Sequence, residues 1–182
     1  MFNRAIAGIL FSILPLAVWA EIEKVAFTCG QQMCFRWWPV LKALPGWAQD
    51  GEQSMNYNFN AMAPVGETFA TAETVMYANA IYKPRVPEEK TLAAFVASDI
   101  AKFRSDPPGL RVERAGKLRT LDGKTAETHW LKPSGKGQWE RVAYLEEGEY
   151  YLVFVVSSRS ERGLLKASPD FEKLVSAYRE KP

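Results

Sequence analysis

The stretch QWERVAYLEEGEYYLVFVVSS, residues 138–158, decides the fold. Its second half is apolar for seven consecutive residues, Tyr150 to Val156, which is short enough for a strand buried on both faces. Such a strand belongs at the centre of a sheet. QWERVAYLE is its expected antiparallel neighbour, joined through a turn over Glu146, Glu147, Gly148 and Glu149. Upstream, LRVERA (110–115) and TAETHWLKP (125–133) flank a turn about Asp122-Gly123, so the pattern predicts a meander of four antiparallel strands. Downstream, Ser168-Pro169-Asp170 reads as a helix start, with an N-cap serine and proline at the first position. Phe171, Leu174, Val175 and Tyr178 then form its buried stripe, and a shorter helical turn is expected over residues 160–167.

Toward the N-terminus, Pro87-Glu88-Glu89 reads as another helix start. Leu92, Phe95, Val96, Ile100 and Phe103 recur at helical steps until Asp106-Pro107-Pro108-Gly109 stops them. TVMYANAIY (74–82) is apolar or small on both faces apart from Asn79, which suits an inner strand. SMNYNFNAMA (54–63) alternates after the Asp50-Gly51 turn and predicts a strand wet on one side, with Met55, Tyr57, Phe59 and Ala61 sharing the dry face. Val25 and Phe27 alternate with Lys24 and Ala26, giving a first strand before the cysteines. Pro39 and Pro45 break the segment FRWWPVLKALPGW (35–47). Strands with helices segregated between them indicate an α+β domain, a mainly antiparallel sheet covered by helices.

This element order resembles the PsbP-like α/β/α sandwich. The central helix TLAAFVASDIAKF, the meander ending in VAYLEEGEYYLVFVVSS and the terminal helix FEKLVSAY carry the resemblance over residues 50–180. It implies a non-catalytic accessory, chaperone or assembly role, and no functional residue is carried across.

The first twenty residues, MFNRAIAGILFSILPLAVWA, read as a signal peptide: Arg4 precedes an uncharged run from Ala5 to Ala20, and Val18 and Ala20 bracket a small-x-small cleavage site. The mature chain is expected to start at Glu21, leaving 21–182 as one domain that is periplasmic or secreted and does not span a membrane once cleaved. Without Arg4, 22 basic residues face 21 acidic ones, and no basic run is gathered anywhere, which excludes a nucleic-acid partner. Cys29 and Cys34 are the only cysteines, and in an oxidising compartment they should pair. Gly30, Gln31, Gln32 and Met33 would form a four-residue hairpin loop that sets the two opposite each other. A redox pair would want two intervening residues, and a metal site would need ligands that a chain with one histidine lacks.

No glycine-rich phosphate loop, metal-binding histidine pattern or dinucleotide fingerprint occurs, so no cofactor is expected. His129 could act as a base with Ser54, Ser157 or Ser158 as nucleophile and Asp50 or Asp99 behind it, yet no serine sits in a Gly-x-Ser-x-Gly turn. If Trp130 faces the core, His129 lies on the other face, where a surface hydrogen bond to Glu127 accounts for it. Asp50 and Glu52 near Trp47 could run glycoside chemistry, but they read first as turn residues. Glu146, Glu147 and Glu149 lack the alternating oxygen ligands of a calcium loop. Trp37, Trp38 and Trp47 are the candidate partner-binding residues, against core or lid packing as the competing role. The leading expectation is an exported, non-catalytic accessory or binding protein of the bacterial envelope whose partner is a protein or envelope component. A small secreted hydrolase using His129 or a carboxylate pair, and a small-ligand carrier with a largely apolar pocket, are the alternatives.

Overall fold

β9 (Tyr150–Ser158) is the middle strand of the main sheet, and its residues from Tyr151 to Ser158 are all buried. The computed structural model describes residues 22–105 and 109–180; the expected signal peptide and the start at Glu21 lie outside the described residues. The chain runs through β1 (Ile22–Cys29), β2 (Gln32–Pro39), β3 (Trp47–Gln49), α1 (Gly51–Tyr57), β4 (Asn60–Pro64) and β5 (Thr74–Tyr82). It continues through α2 (Leu92–Ser105), β6 (Arg111–Arg119), β7 (Thr125–Lys132), β8 (Trp139–Glu147), β9 and α3 (Glu161–Ser176). The strands lie in the order β1-β2-β5-β9-β8-β7-β6, all neighbours antiparallel, with β3 and β4 attached beside β5. The α+β class and the antiparallel sheet stand as read from the sequence.

Alternation along β9 builds two cores. Leu152, Phe154 and Val156 meet Leu164, Phe171, Leu174, Val175 and Tyr178 of the α3 layer, while Tyr151, Val153 and Val155 meet Phe95 and Val96 of α2. Each fully buried side chain of this size stabilises by about 1.5–3 kcal/mol over its exposed state, which is why the apolar run dominates the fold. α3 lies so close to the sheet that a Cβ at Gly163 would run into Ser158 Oγ.

Three local expectations are corrected. Residues 51–57 form a helix, not the alternating strand: Asp50 Oδ1 accepts from the Gln53 amide at 3.0 Å as N-cap, and Asn58 ends the helix in the left-handed region at φ 64°. Met55 and Tyr57 are accordingly 51% and 57% exposed. α2 starts at Leu92, because Thr91 Oγ1 caps the Ala94 amide at 3.1 Å while Pro87 and Glu88 sit in a turn held by the Glu89 amide donating to Val86 O at 3.0 Å. α3 is one helix capped by Ser160, whose hydroxyl accepts from the Gly163 amide at 3.0 Å. Pro169 lies inside it. Pro169 and Leu165, whose carbonyl loses its usual helical donor, are both exposed residues. Ser168 donates its hydroxyl to Leu164 O at 2.8 Å instead of capping.

The cysteines pair, with Cα atoms 5.9 Å apart. The hairpin, however, turns through Gly30 and Gln31 alone, with Gly30 at φ 65°, so Cys29 faces Gln32 and Cys34 faces Phe27. The bridge is diagonal across the two strands because the tighter two-residue turn suits the strand twist better than a four-residue loop. Replacing both cysteines by alanine is expected to cost at most about 2 kcal/mol, given the short loop closed. Amide exchange should quicken in β1 and β2 and leave β9 unchanged.

Candidate functional site

One row of side chains crosses the α2 side of the sheet: Val75 of β5 opposite Ser157 of β9, Ser157 opposite Glu140 of β8, and Glu140 opposite Leu131 of β7. Beside it open two clefts that share Gln138 as a wall. The first, about 340 Å³, is lined by Tyr57, Phe59, Phe69, Tyr77, Ser157 and Arg159 among others. The second, about 300 Å³, is lined by Phe103, Leu131 and Glu140 with their neighbours.

The rings of the first cleft form one connected group. Phe59 stacks on Tyr77 with centroids 4.5 Å apart and on Tyr57 at 5.6 Å, and Phe69 closes the group at 5.3 Å from Phe59 and 6.0 Å from Tyr77. Asp50 positions them. Its Oδ1 caps α1, which ends in Tyr57, while its Oδ2 accepts from the Phe69 amide at 2.9 Å, so one carboxylate ties two walls together.

Behind the clefts lie ionisable groups between α2 and the sheet. Tyr144 donates its hydroxyl to Asp99 Oδ2 at 2.8 Å, and Ser157 donates to Glu140. Burial pushes the Asp99 and Glu140 carboxyls up, and for Glu140 the Asp99 charge adds to the rise. Burial first, then the neighbouring acids, also pushes the phenols of Tyr77 and Tyr144 up. A carboxyl raised in the folded state contributes stability that is complete below its unfolded pKa and lost as pH rises through the folded one. Stability is therefore expected to be greater near about pH 5 than near about pH 8, and Asp99→Asn with Glu140→Gln should flatten the difference. Denaturant midpoints across pH check this.

The candidates named from sequence are spread out. His129 is on the face opposite Trp130 and its Nε2 lies 2.9 Å from Glu127 Oε1, but α2 covers that face and His129 is 4% exposed, so the expected surface position is corrected. It borders a separate groove of about 350 Å³ with Arg104, Arg114 and Glu127. Ser54 donates to Asp50 O at 2.7 Å and accepts from the Ala61 amide at 2.9 Å; Ser158 bonds Thr74 on the α3 side at 2.8 Å. Glu146 pairs with Lys83 and Glu147 is buried against Tyr178, so these acids diverge. Trp37 packs against Tyr82 at 5.1 Å with the Arg85 guanidinium 4.5 Å from its ring centre. Trp38, 6% exposed, donates its indole N–H to Glu23 at 3.1 Å, and Trp47 donates to Asp170 at 3.2 Å. Trp37 and Trp47 are both half-buried against the α3-side core, whereas Trp38 is buried. The cleft residues Phe59, Phe69 and Tyr77, with Glu140, were not singled out as a site from sequence, although four aromatics fall within residues 57–77.

No helix among the described residues is long and apolar enough to cross a membrane. No family model matches the chain, and no curated protein matches it. Among solved structures the chain is similar to PA94 of Pseudomonas aeruginosa, a protein of unknown function described as a candidate regulator, with a TM-score of 0.51 and 11% identity. The match covers 87% of this chain and 98% of that one. At that identity the likeness concerns the fold: the α+β arrangement is one that an independent sequence also adopts.

Proposed function

We propose that this chain is an exported, non-catalytic binding protein of the bacterial envelope, of PsbP-like build, and that the four-ring cleft is where it takes a small ligand. The observation that carries this reading is the cleft itself: about 340 Å³ walled by Tyr57, Phe59, Phe69 and Tyr77, with Ser157 as a polar group inside it. Ligand sites combine largely apolar walls with a few placed polar groups in this way. The Cys29–Cys34 bridge supports an oxidising compartment, as does the apolar run at residues 5–20. The protein is therefore read as a carrier, which joins two of the sequence expectations.

A hydrolase using a carboxylate pair is the second reading, favoured by Asp99, whose charge adds to the rise of the Glu140 carboxyl beside the Glu140 cleft. Native mass spectrometry of protein purified from the exported fraction tests both. A co-purifying small molecule that is lost in Val75→Trp, which fills the cleft, is the result expected of a carrier. Chemical turnover of that molecule, abolished by folded Asp99→Asn, would move the hydrolase to first place.

A further inference from the structure

The four-ring cleft has two charged side chains in its wall, Glu73 and Arg159, and only the first has its charge answered. Glu73 Oε1 accepts the Ser160 hydroxyl at 2.5 Å. It also lies 3.1 Å from where a Cβ on Gly163 would stand, in the company of Ser158 Oγ and Thr74 Oγ1 on the α3 side of the sheet. The carboxylate thus sits on the first turn of α3, where the positive end of a 16-residue helix offsets it. Asp99 and Glu140 form no part of the cleft wall.

Arg159 has no such partner. Its Nη2 donates to Ala70 O at 2.9 Å and its amide to Glu73 O at 3.0 Å, neutral carbonyls that hold the residue without taking its charge. Among the described residues no carboxylate comes within ion-pair distance of its guanidinium, and no ring lies beneath it. Ala70 directly follows Phe69, whose amide Asp50 holds, so one short loop carries both a ring of the wall and the anchor of the cation. The rings beside it are only partly covered: Phe59, Phe69 and Tyr77 are half-buried and Tyr57 is exposed.

An exposed guanidinium costs nothing by itself, but beside uncovered rings it selects the sign of what binds there. We infer that the cleft takes an organic carboxylate on an apolar body, the body against Tyr57, Phe59, Phe69 and Tyr77 and the carboxylate on Arg159. This rests on the carrier reading above. A guanidinium matches a carboxylate with two parallel charge-assisted hydrogen bonds, and only one Nη2 donor is committed, to Ala70. A cation would meet Arg159, and the one acid in the wall that could answer it is held at α3. A neutral body would gain the rings without the charge-assisted bonds. The cleft, about 340 Å³, is near the lower end of the range of small-molecule sites, about 300–1,000 Å³, which suits a body of one ring or a short chain.

Calorimetric titration with three probes of similar shape, phenylacetate, phenylacetamide and 2-phenylethylamine, tests the inference. The wild type should bind phenylacetate about tenfold more tightly than phenylacetamide, a difference of about 1.4 kcal/mol, and the amine most weakly. Added salt should weaken phenylacetate but not phenylacetamide. Arg159→Gln should bring phenylacetate to the level of the amide without altering the amide, and Arg159→Lys should fall between. Phe59→Ala should weaken both, each variant first shown to unfold cooperatively. Equal affinity for phenylacetate and phenylacetamide, tighter binding of the amine, or a carboxylate preference that survives Arg159→Gln would overturn the assignment while leaving the carrier reading in place. Failure of all three probes to bind the wild type at millimolar concentration would overturn both.

Discussion

Phe154→Ala is expected to lower the unfolding free energy by about 3–5 kcal/mol. Phe154 is fully buried in β9, the middle strand, and its ring meets Tyr178 edge-on with centroids 5.3 Å apart. Its cross-strand neighbours are Ala78 on β5 and Ala143 on β8. Neither alanine can swing a side chain into the space left, so the cavity persists and the cost should fall in the upper part of that range. Equilibrium unfolding in guanidinium measures it, with an unchanged denaturant slope showing that only stability moved. Met55→Ala, at an exposed position on α1, should stay within about 0.5 kcal/mol of wild type. A loss below about 1 kcal/mol at Phe154 would contradict the two-sided core.

The second large effect is expected at the far end of α3, where Tyr178 donates its hydroxyl to the buried carboxylate Glu147 of β8. Burial pushes Glu147 up, and the Tyr178 hydrogen bond is the largest influence pulling it back. Tyr178→Phe removes that donor and keeps the ring. The cost should be about 1–3 kcal/mol, the penalty for leaving a buried polar group without its partner. The sign of its pH dependence follows. The hydroxyl favours the ionised carboxylate, so the variant should lose most where Glu147 is ionised in the wild type and least at acid pH, where it is protonated in both. The double variant Tyr178→Phe with Glu147→Gln should recover part of the loss at neutral pH. Urea titrations at two pH values separate these outcomes. An equal loss at both would show that Glu147 is not the partner that matters.

The elements legible in the sequence were those whose pattern is long and set by burial. The run Tyr150–Val156 named the central strand, and Leu92, Phe95, Val96, Ile100 and Phe103 named the face of α2, because each pattern records contact with a whole layer. What went astray was decided by single caps and turns. Residues 54–57 alternate as a strand would, yet the Asp50 cap and the left-handed Asn58 suffice to wind seven residues into α1. Pro169 reads as a helix start because a proline fits there best, and no sequence pattern tells that it lies on the exposed face of one continuous helix. The cleft was illegible for a different reason. Ser157 and Glu140 join Tyr77 only through the pairing of β5, β9 and β8, and spacing along the chain does not reveal which side of a strand a partner will occupy. The cluster of Tyr57, Phe59, Phe69 and Tyr77 within one short segment was the signal available, and it resembled ordinary core composition. Trp37, Trp38 and Trp47 are candidates because Trp37 and Trp38 alternate in an extended segment beside the cysteine turn, and in the fold their indole groups contact Tyr82, Glu23 and Asp170.

The central claim, that the four-ring cleft is the binding site, is tested most directly by mapping ligand-induced shifts in the nuclear magnetic resonance spectrum of the folded protein as phenylacetate is added. The account predicts saturable shifts confined to the ring signals of Tyr57, Phe59, Phe69 and Tyr77 and the amides of Gln138, Ser157 and Arg159. Shifts gathered instead around Trp37, Tyr82 and Tyr150, or along β1 and β2, with the cleft signals unmoved, would contradict it.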